Sequence, residues 1–174
     1  FYPGKNLGAF GDAGAIITKD KKLADHCAKF ARHGGLIKGV HEIEGSNSRL
    51  DGLQAAVLNI KLKYILDWNE KRRKAAKNYL HLLQDIENLK LPEHADNIEH
   101  TWHCFVVKTK ERDGLKKSLE QNNIYTNINY PIALPFLQAY AYLKHSKNDF
   151  QNAFYNQSRI LSLPMFPEIL EEEQ

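Results

Sequence analysis

From Leu50 onward, apolar side chains fall at Leu53, Val57, Ile60, Tyr64 and Trp68, and again at Ala75, Tyr79 and Leu82. Steps of three and four keep one face of a helix apolar, so the pattern predicts a single amphipathic helix of about thirty residues. That is far beyond the usual ~11–12 residues and suits an element that links two subdomains or lines a subunit interface. Upstream, residues 13–18 (AGAIIT) form a short apolar run that predicts a buried strand. Asp20 is placed to cap a helix running to about Arg32, with Leu23, Cys27 and Phe30 on one face and His33-Gly34-Gly35 as its stop. Residues 34–48 read as a loop. Beyond Leu91-Pro92 the pattern predicts a small α+β unit: a strand at 102–109 (WHCFVVKT), a helix at 113–122 and a second strand at 124–129 (IYTNIN). Pro131 and Pro135 then interrupt regular structure, and a helical stretch near 149–160 ends before Pro164 and Pro167.

Composition narrows the class without naming a function. The 174 residues are 43% hydrophobic and 26% charged, as in an ordinary globular protein, and the net charge of +3 is too small to argue for nucleic acid. No apolar run approaches the ~20 residues of a membrane span, and no signal sequence leads the chain, so a cytoplasmic location is expected, with no membrane partner. Cys27 and Cys104 lack metal or redox spacing and are expected to be reduced and buried. Nine of the ten glycines lie within residues 1–52, which concentrates shaped loops at the start. With no methionine before Phe1, and an acidic helical start at 168–174, both ends are expected to be cut.

Two segments carry candidate chemistry. In FYPGKNLGAFGDAG, four glycines surround Lys5. A lysine attacks a carbonyl only when part of it is deprotonated, which needs burial or nearby positive charge. From residues alone a solvated lysine is the commoner outcome, and no GxxxxGK[ST] or GxGxxG pattern supports a phosphate cradle here. In EGSNSRLD, Asn47 and Arg49 precede the long helix and could both face an anion. Ser48 or Asn47 could equally be an N-cap, with Asp51 favoured by the helix dipole, and the two readings are compatible. The basic run Lys71-Arg72-Arg73-Lys74 reads as a solvated helix face. His100 and His103 have no companion ligands at suitable spacing, so no metal site is expected.

FYPGKNLGAFGDAGAIIT resembles the segment carrying the cofactor lysine in the DegT/DnrJ/EryC1/StrS family of nucleotide-sugar aminotransferases, which use pyridoxal 5'-phosphate (PLP). Further matching motifs follow in order: Arg32-His33-Gly34, GSNSRLDGLQAAVL, the strand Trp102-His103-x-Phe105-Val106-Val107, INYPIALPFLQAY and LSLPMFPE. The resemblance covers nearly the whole chain. It implies an α/β fold, the C-terminal portion of a fold-type I PLP-dependent aminotransferase. Residues 1–67 would be the end of the PLP-binding large domain with the start of the long helix. Residues 68–174 would be the rest of that helix and a small C-terminal α+β domain.

By the same resemblance, Lys5 is the catalytic lysine that joins PLP, and Asn47, with Arg49 as its companion, reaches the cofactor phosphate of a neighbouring subunit in a homodimer. The implied reaction takes an amino group from glutamate to a nucleotide-linked keto-sugar. Tyr130 and Pro131 lie toward the sugar. Ala133 and Pro135 replace a frequent proline and histidine there, which leans the substrate toward a dTDP-3-keto-6-deoxyhexose. The resemblance also implies a preceding half that carries the partner of the pyridine nitrogen and a stacking aromatic, so these residues alone are expected to be inactive. Two other readings stand beside it: a non-catalytic regulatory relative, and an anion-binding α/β domain without PLP.

Overall fold

The Asp20 carboxylate accepts hydrogen bonds from the backbone N–H of Lys22 (2.8 Å) and Leu23 (3.3 Å), which fixes where the first helix begins. Helix α1 spans Lys21–Phe30. It stops where expected, with His33 and Gly34 both at positive φ and the Gly34 N–H donating back to the Lys29 carbonyl at 2.8 Å. The computed structural model describes residues 1–174, in two compact units, Phe1–Leu66 and Asp67–Gln174.

In the first unit, the leading loop is tied to helix α2, Gly52–Lys61. Gln54 Oε1 accepts from the Phe10 N–H at 2.8 Å, and Lys61 Nζ donates to the Gly8 carbonyl at 2.8 Å. The strand predicted at 13–18 is not formed: the segment pairs with no strand, and Ile17 is 94% exposed. A strand needs a neighbouring strand for its N–H and C=O groups, and this segment has only the Phe1 amine, which donates to the Ala13 carbonyl at 2.7 Å.

The single long helix is also corrected. Helix α2 ends at Lys61, a turn at 62–64 follows, and α3 runs over Ile65–Leu83. At the turn the bonds tighten to three-residue steps, Lys63 N–H to Ile60 O and Tyr64 N–H to Lys61 O. Leu62 keeps helical dihedrals, and the apolar steps of three and four in the sequence carry no mark of the break.

The second unit is built on strands β1, Phe105–Lys108, and β2, Ile160–Leu163, paired antiparallel with Phe105 opposite Leu163 and Lys108 opposite Ile160. Helix α4 spans Arg112–Gln121 and α5 spans Gln151–Asn156. The expected strand at 124–129 is reduced to one bridge, Asn127 to Ser162. The expected helix to residue 160 ends four residues early, because Ile160 is already in β2. Ala76 and Tyr79 of α3 pack with Trp102, Phe105, Val107 and Leu161 as the core. A two-stranded ribbon is marginal alone; the Tyr79 and Phe105 rings, 4.9 Å apart and stacked, join it to α3.

Arg72 is not on a solvated face. It is buried, and its Nη1 donates to the carbonyls of Trp102 (3.2 Å), His103 (3.4 Å) and Met165 (2.9 Å). Cys27 and Cys104 are free thiols, half-buried instead of fully buried.

Candidate functional site

Lys5 closes a turn in which its N–H donates to the Tyr2 carbonyl at 2.9 Å, while the Ala9 N–H reaches the Phe1 carbonyl at 2.8 Å. The chain can fold back this tightly because position 8 is glycine: a Cβ there would lie 2.3 Å from the Pro3 carbonyl oxygen. The Lys5 side chain is exposed, and its Nζ has neither a hydrogen-bond acceptor nor a carboxylate partner. The loop therefore presents an unpaired primary amine on a backbone that cannot easily rearrange.

The second candidate segment lies along the turn after α1. The Ser46 N–H donates to Phe30 O (2.8 Å), the His33 N–H to Ser46 O (3.1 Å) and the Ser48 N–H to Ala31 O (3.1 Å), and Arg32 bridges Asn47. Gly34, at φ +92°, sits where a Cβ would be 1.7 Å from the Ile43 carbonyl oxygen, so this seat also requires glycine. Arg49 Nε donates to Asn47 Oδ1 at 3.2 Å. That contact occupies the oxygen of the amide and leaves its N–H groups, with the Arg49 Nη groups, as donors for an anion. The N-cap alternative for Asn47 or Ser48 is not realised. Asp51 holds the cap position of α2, and no side chain bonds the first-turn N–H groups there.

Arg49 also lines a cleft of about 810 Å³ together with Arg32, His33, Lys38, His41 and Leu50, and no carboxylate lines it. His41 Nδ1 lies 2.8 Å from the His33 carbonyl, which can only accept, so this nitrogen carries the proton. Arg32, Lys38 and His41 escaped the sequence reading as a group. Arg32 was read as the end of the first helix and as part of the matching motif Arg32-His33-Gly34, and Lys38 and His41 lie in a loop without period, where nothing in the spacing brings them together.

Tyr130 and Pro131 belong to the second unit, where they line a cleft of about 750 Å³ with Ile132, Leu134, Leu137 and Ile160. Gln157 Oε1 accepts from the Ala133 N–H at 2.8 Å, and Ser162 Oγ donates to Asn129 Oδ1 at 3.0 Å, so this segment is pinned at two points. The structure thus joins Asn47 to Arg49, sets Lys5 on its own loop of the same unit, and places Tyr130 and Pro131 in the other unit.

The profile of the DegT/DnrJ/EryC1/StrS aminotransferase family matches residues 1–174. Among curated proteins, the chain is 41% identical over 172 residues to the erythromycin biosynthesis sensory transduction protein EryC1 of Saccharopolyspora erythraea, covering 99% of this chain and 47% of that one. It is 43% identical over 191 residues to dTDP-3-amino-3,6-dideoxy-alpha-D-galactopyranose transaminase of Aneurinibacillus thermoaerophilus, covering 99% and 51%. Among solved structures, it resembles DesV of Streptomyces venezuelae, in complex with a ketimine intermediate, with a TM-score of 0.95, 38% identity and coverage of 99% and 47%. It also resembles NtdA of Bacillus subtilis with bound cofactor PMP, with a TM-score of 0.86, 32% identity and coverage of 99% and 42%. The chain spans about half the length of the curated relatives it matches, and its fold is the C-terminal portion of the aminotransferase fold. By its sequence over all 174 residues and by this fold, the chain belongs to the DegT/DnrJ/EryC1/StrS aminotransferase family.

Proposed function

We propose that these residues form the lysine-bearing part of a PLP-dependent aminotransferase that moves an amino group from glutamate to a nucleotide-linked keto-sugar. The observation that carries this reading is the Lys5 amine, unpaired and exposed on a glycine-shaped loop. The residues present fit the cofactor chemically: Lys5 Nζ suits its aldehyde, and the free N–H groups of Asn47 and Arg49 suit its phosphate. PLP, when bound, supplies the electron sink for the pair left at the amino-acid α-carbon. Lys5 Nζ would hold the cofactor and, when free, would be the base that takes the proton from that carbon. Asn47 and Arg49 serve a phosphate in a second copy of the chain, so the working unit is a homodimer. The basic cleft of Arg32, Lys38 and His41 suits the diphosphate of the nucleotide. On this reading residues 1–67 end the cofactor domain and 68–174 carry the small domain. A regulatory reading is favoured only by the names of two relatives, a sensory transduction protein and a pleiotropic regulatory protein.

The test of the lysine is chemical. The chain is incubated with PLP, reduced with borohydride, and mapped by peptide mass spectrometry beside Lys5→Ala. A selective adduct on Lys5, lost in the variant, is expected; a longer chain that transaminates normally with alanine at this position would refute the assignment. For the substrate, the Aneurinibacillus relative's name and the residues Ala133 and Pro135 support a 3-keto-6-deoxyhexose on dTDP. A panel of 3-keto and 4-keto nucleotide sugars, assayed with a longer chain containing these residues and with the 174 residues alone, is expected to show 3-keto turnover in the former only. A 4-keto preference overturns the substrate, and turnover by the 174 residues overturns the need for more chain.

A further inference from the structure

We propose that a pocket at the end of β1, in the second unit, binds a phosphate-bearing small molecule, independently of the cofactor chemistry above. The pocket has a volume of about 380 Å³, inside the ~300–1,000 Å³ range of small-molecule sites. Lys90, Lys108, Lys110 and Arg159 line it against one carboxylate, Glu111. The cations come from three segments locked by backbone hydrogen bonds. Lys90 and Lys108 exchange both N–H and C=O groups at 2.8 and 2.9 Å, and the Thr109 N–H donates to the Arg159 carbonyl at 3.0 Å.

Lys90 and Lys108 are therefore directly opposite partners of the same charge, a pairing that disfavours folding unless something offsets it. Internal carboxylates offset little of it. Only Lys90 has one, Glu93 at 3.4 Å with both side chains largely exposed, whereas no acid lies within ion-pair distance of Lys108, Lys110 or Arg159. Lys108 and Arg159 are half-buried, and the Arg159 guanidinium rests over the Tyr155 ring at 5.6 Å. Both heads are thus positioned more narrowly than freely solvated ones. Thr109 is buried, and its Oγ1 accepts the Glu111 N–H at 3.2 Å, which leaves its hydroxyl proton to donate. Three unpaired cations and a hydroxyl donor match an anion of two or more charges, a phosphomonoester or diphosphate; a single carboxylate would leave most of the charge unmatched.

Inorganic pyrophosphate is the probe, titrated into the 174-residue chain at low salt while the backbone amides are followed by NMR. Saturable shifts at residues 90, 108–111 and 159 are expected, with the dissociation constant raised about tenfold or more in Lys110→Gln/Arg159→Gln. At these residues it is expected to be unchanged in Lys63→Gln/Lys77→Gln, which removes two exposed cations elsewhere in the chain. Shifts spread over exposed lysines without saturation, or equal weakening in the Lys63/Lys77 variant, would overturn the proposal.

Discussion

The phenol of Tyr79 is 3% exposed, and its hydroxyl donates to the Pro164 carbonyl at 3.0 Å. Burial, and then the negative charge of Glu173, push its pKa up to about 12. The raised value means that the folded chain keeps the phenolic proton over a range in which the unfolded chain, with an ordinary tyrosine pKa near 10, has lost it. The stability this contributes is complete below pH ~10 and is lost as pH rises from there toward about 12. Urea midpoints of the 174-residue chain are expected to fall across this window, by up to about 2–3 kcal/mol from this group. Lysines titrate there too, so Tyr79→Phe is the reference. It is expected to be about 1 kcal/mol less stable at pH 8, where the Pro164 carbonyl loses its donor, and to decline less steeply above pH 10. Parallel curves for the two proteins would show that the buried phenol is not a source of the decline.

At the scale of elements, what could be read from the sequence was what depends on neighbours in the chain. Asp20 and its two N–H partners, and the positive-φ stop at His33-Gly34, are local, and α1 lies between them. The run Phe105 to Lys108 alternates buried and half-buried as a one-sided strand should, and it formed. The misread elements depend on partners far away in sequence. AGAIIT has strand composition, yet no strand pairs with it, so composition alone could not make it a strand. Ile160–Leu163 was hidden because its pairing with β1 lies over fifty residues upstream, while the local signal was a short helix followed by prolines. Arg72 carries the same lesson on a helix. The sequence shows one of four consecutive cations, whereas burial is decided by the carbonyls of Trp102 and Met165, 30 and 93 residues away. At the candidate site, the glycines around Lys5 and the Asn47-x-Arg49 spacing were legible, because each is a local motif. The partnership of Arg32, Lys38 and His41 with Arg49 was not, because only the folded loop assembles it.

Over the whole molecule, the two units differ in what holds each one together. In the first, the buried apolar side chains are those of Ala9 and Leu58, while Ile16, Phe10 and Leu53 are each more than 70% exposed. Its loops are held mainly by backbone hydrogen bonds and by the reach of Gln54 and Lys61 from α2. In the second, Phe105, Val107 and Leu161 are fully buried, and Arg72 binds the carbonyls that flank them. Hydrogen bonds open at a free energy set by the packing around them, and exposed ones open most easily. The slowest-exchanging amides of the 174-residue chain are therefore expected in 105–108, 160–163 and the C-terminal half of α3. Those of α1 and α2 are expected to exchange about 100-fold faster or more, a difference of roughly 2.7 kcal/mol in opening. Hydrogen–deuterium exchange with peptide mass spectrometry reads this directly. Equal protection in α1, α2 and the β1–β2 pair would mean that the first unit has a source of stability which its own buried side chains do not supply, and would send the search to the exposed apolar side chains of that unit.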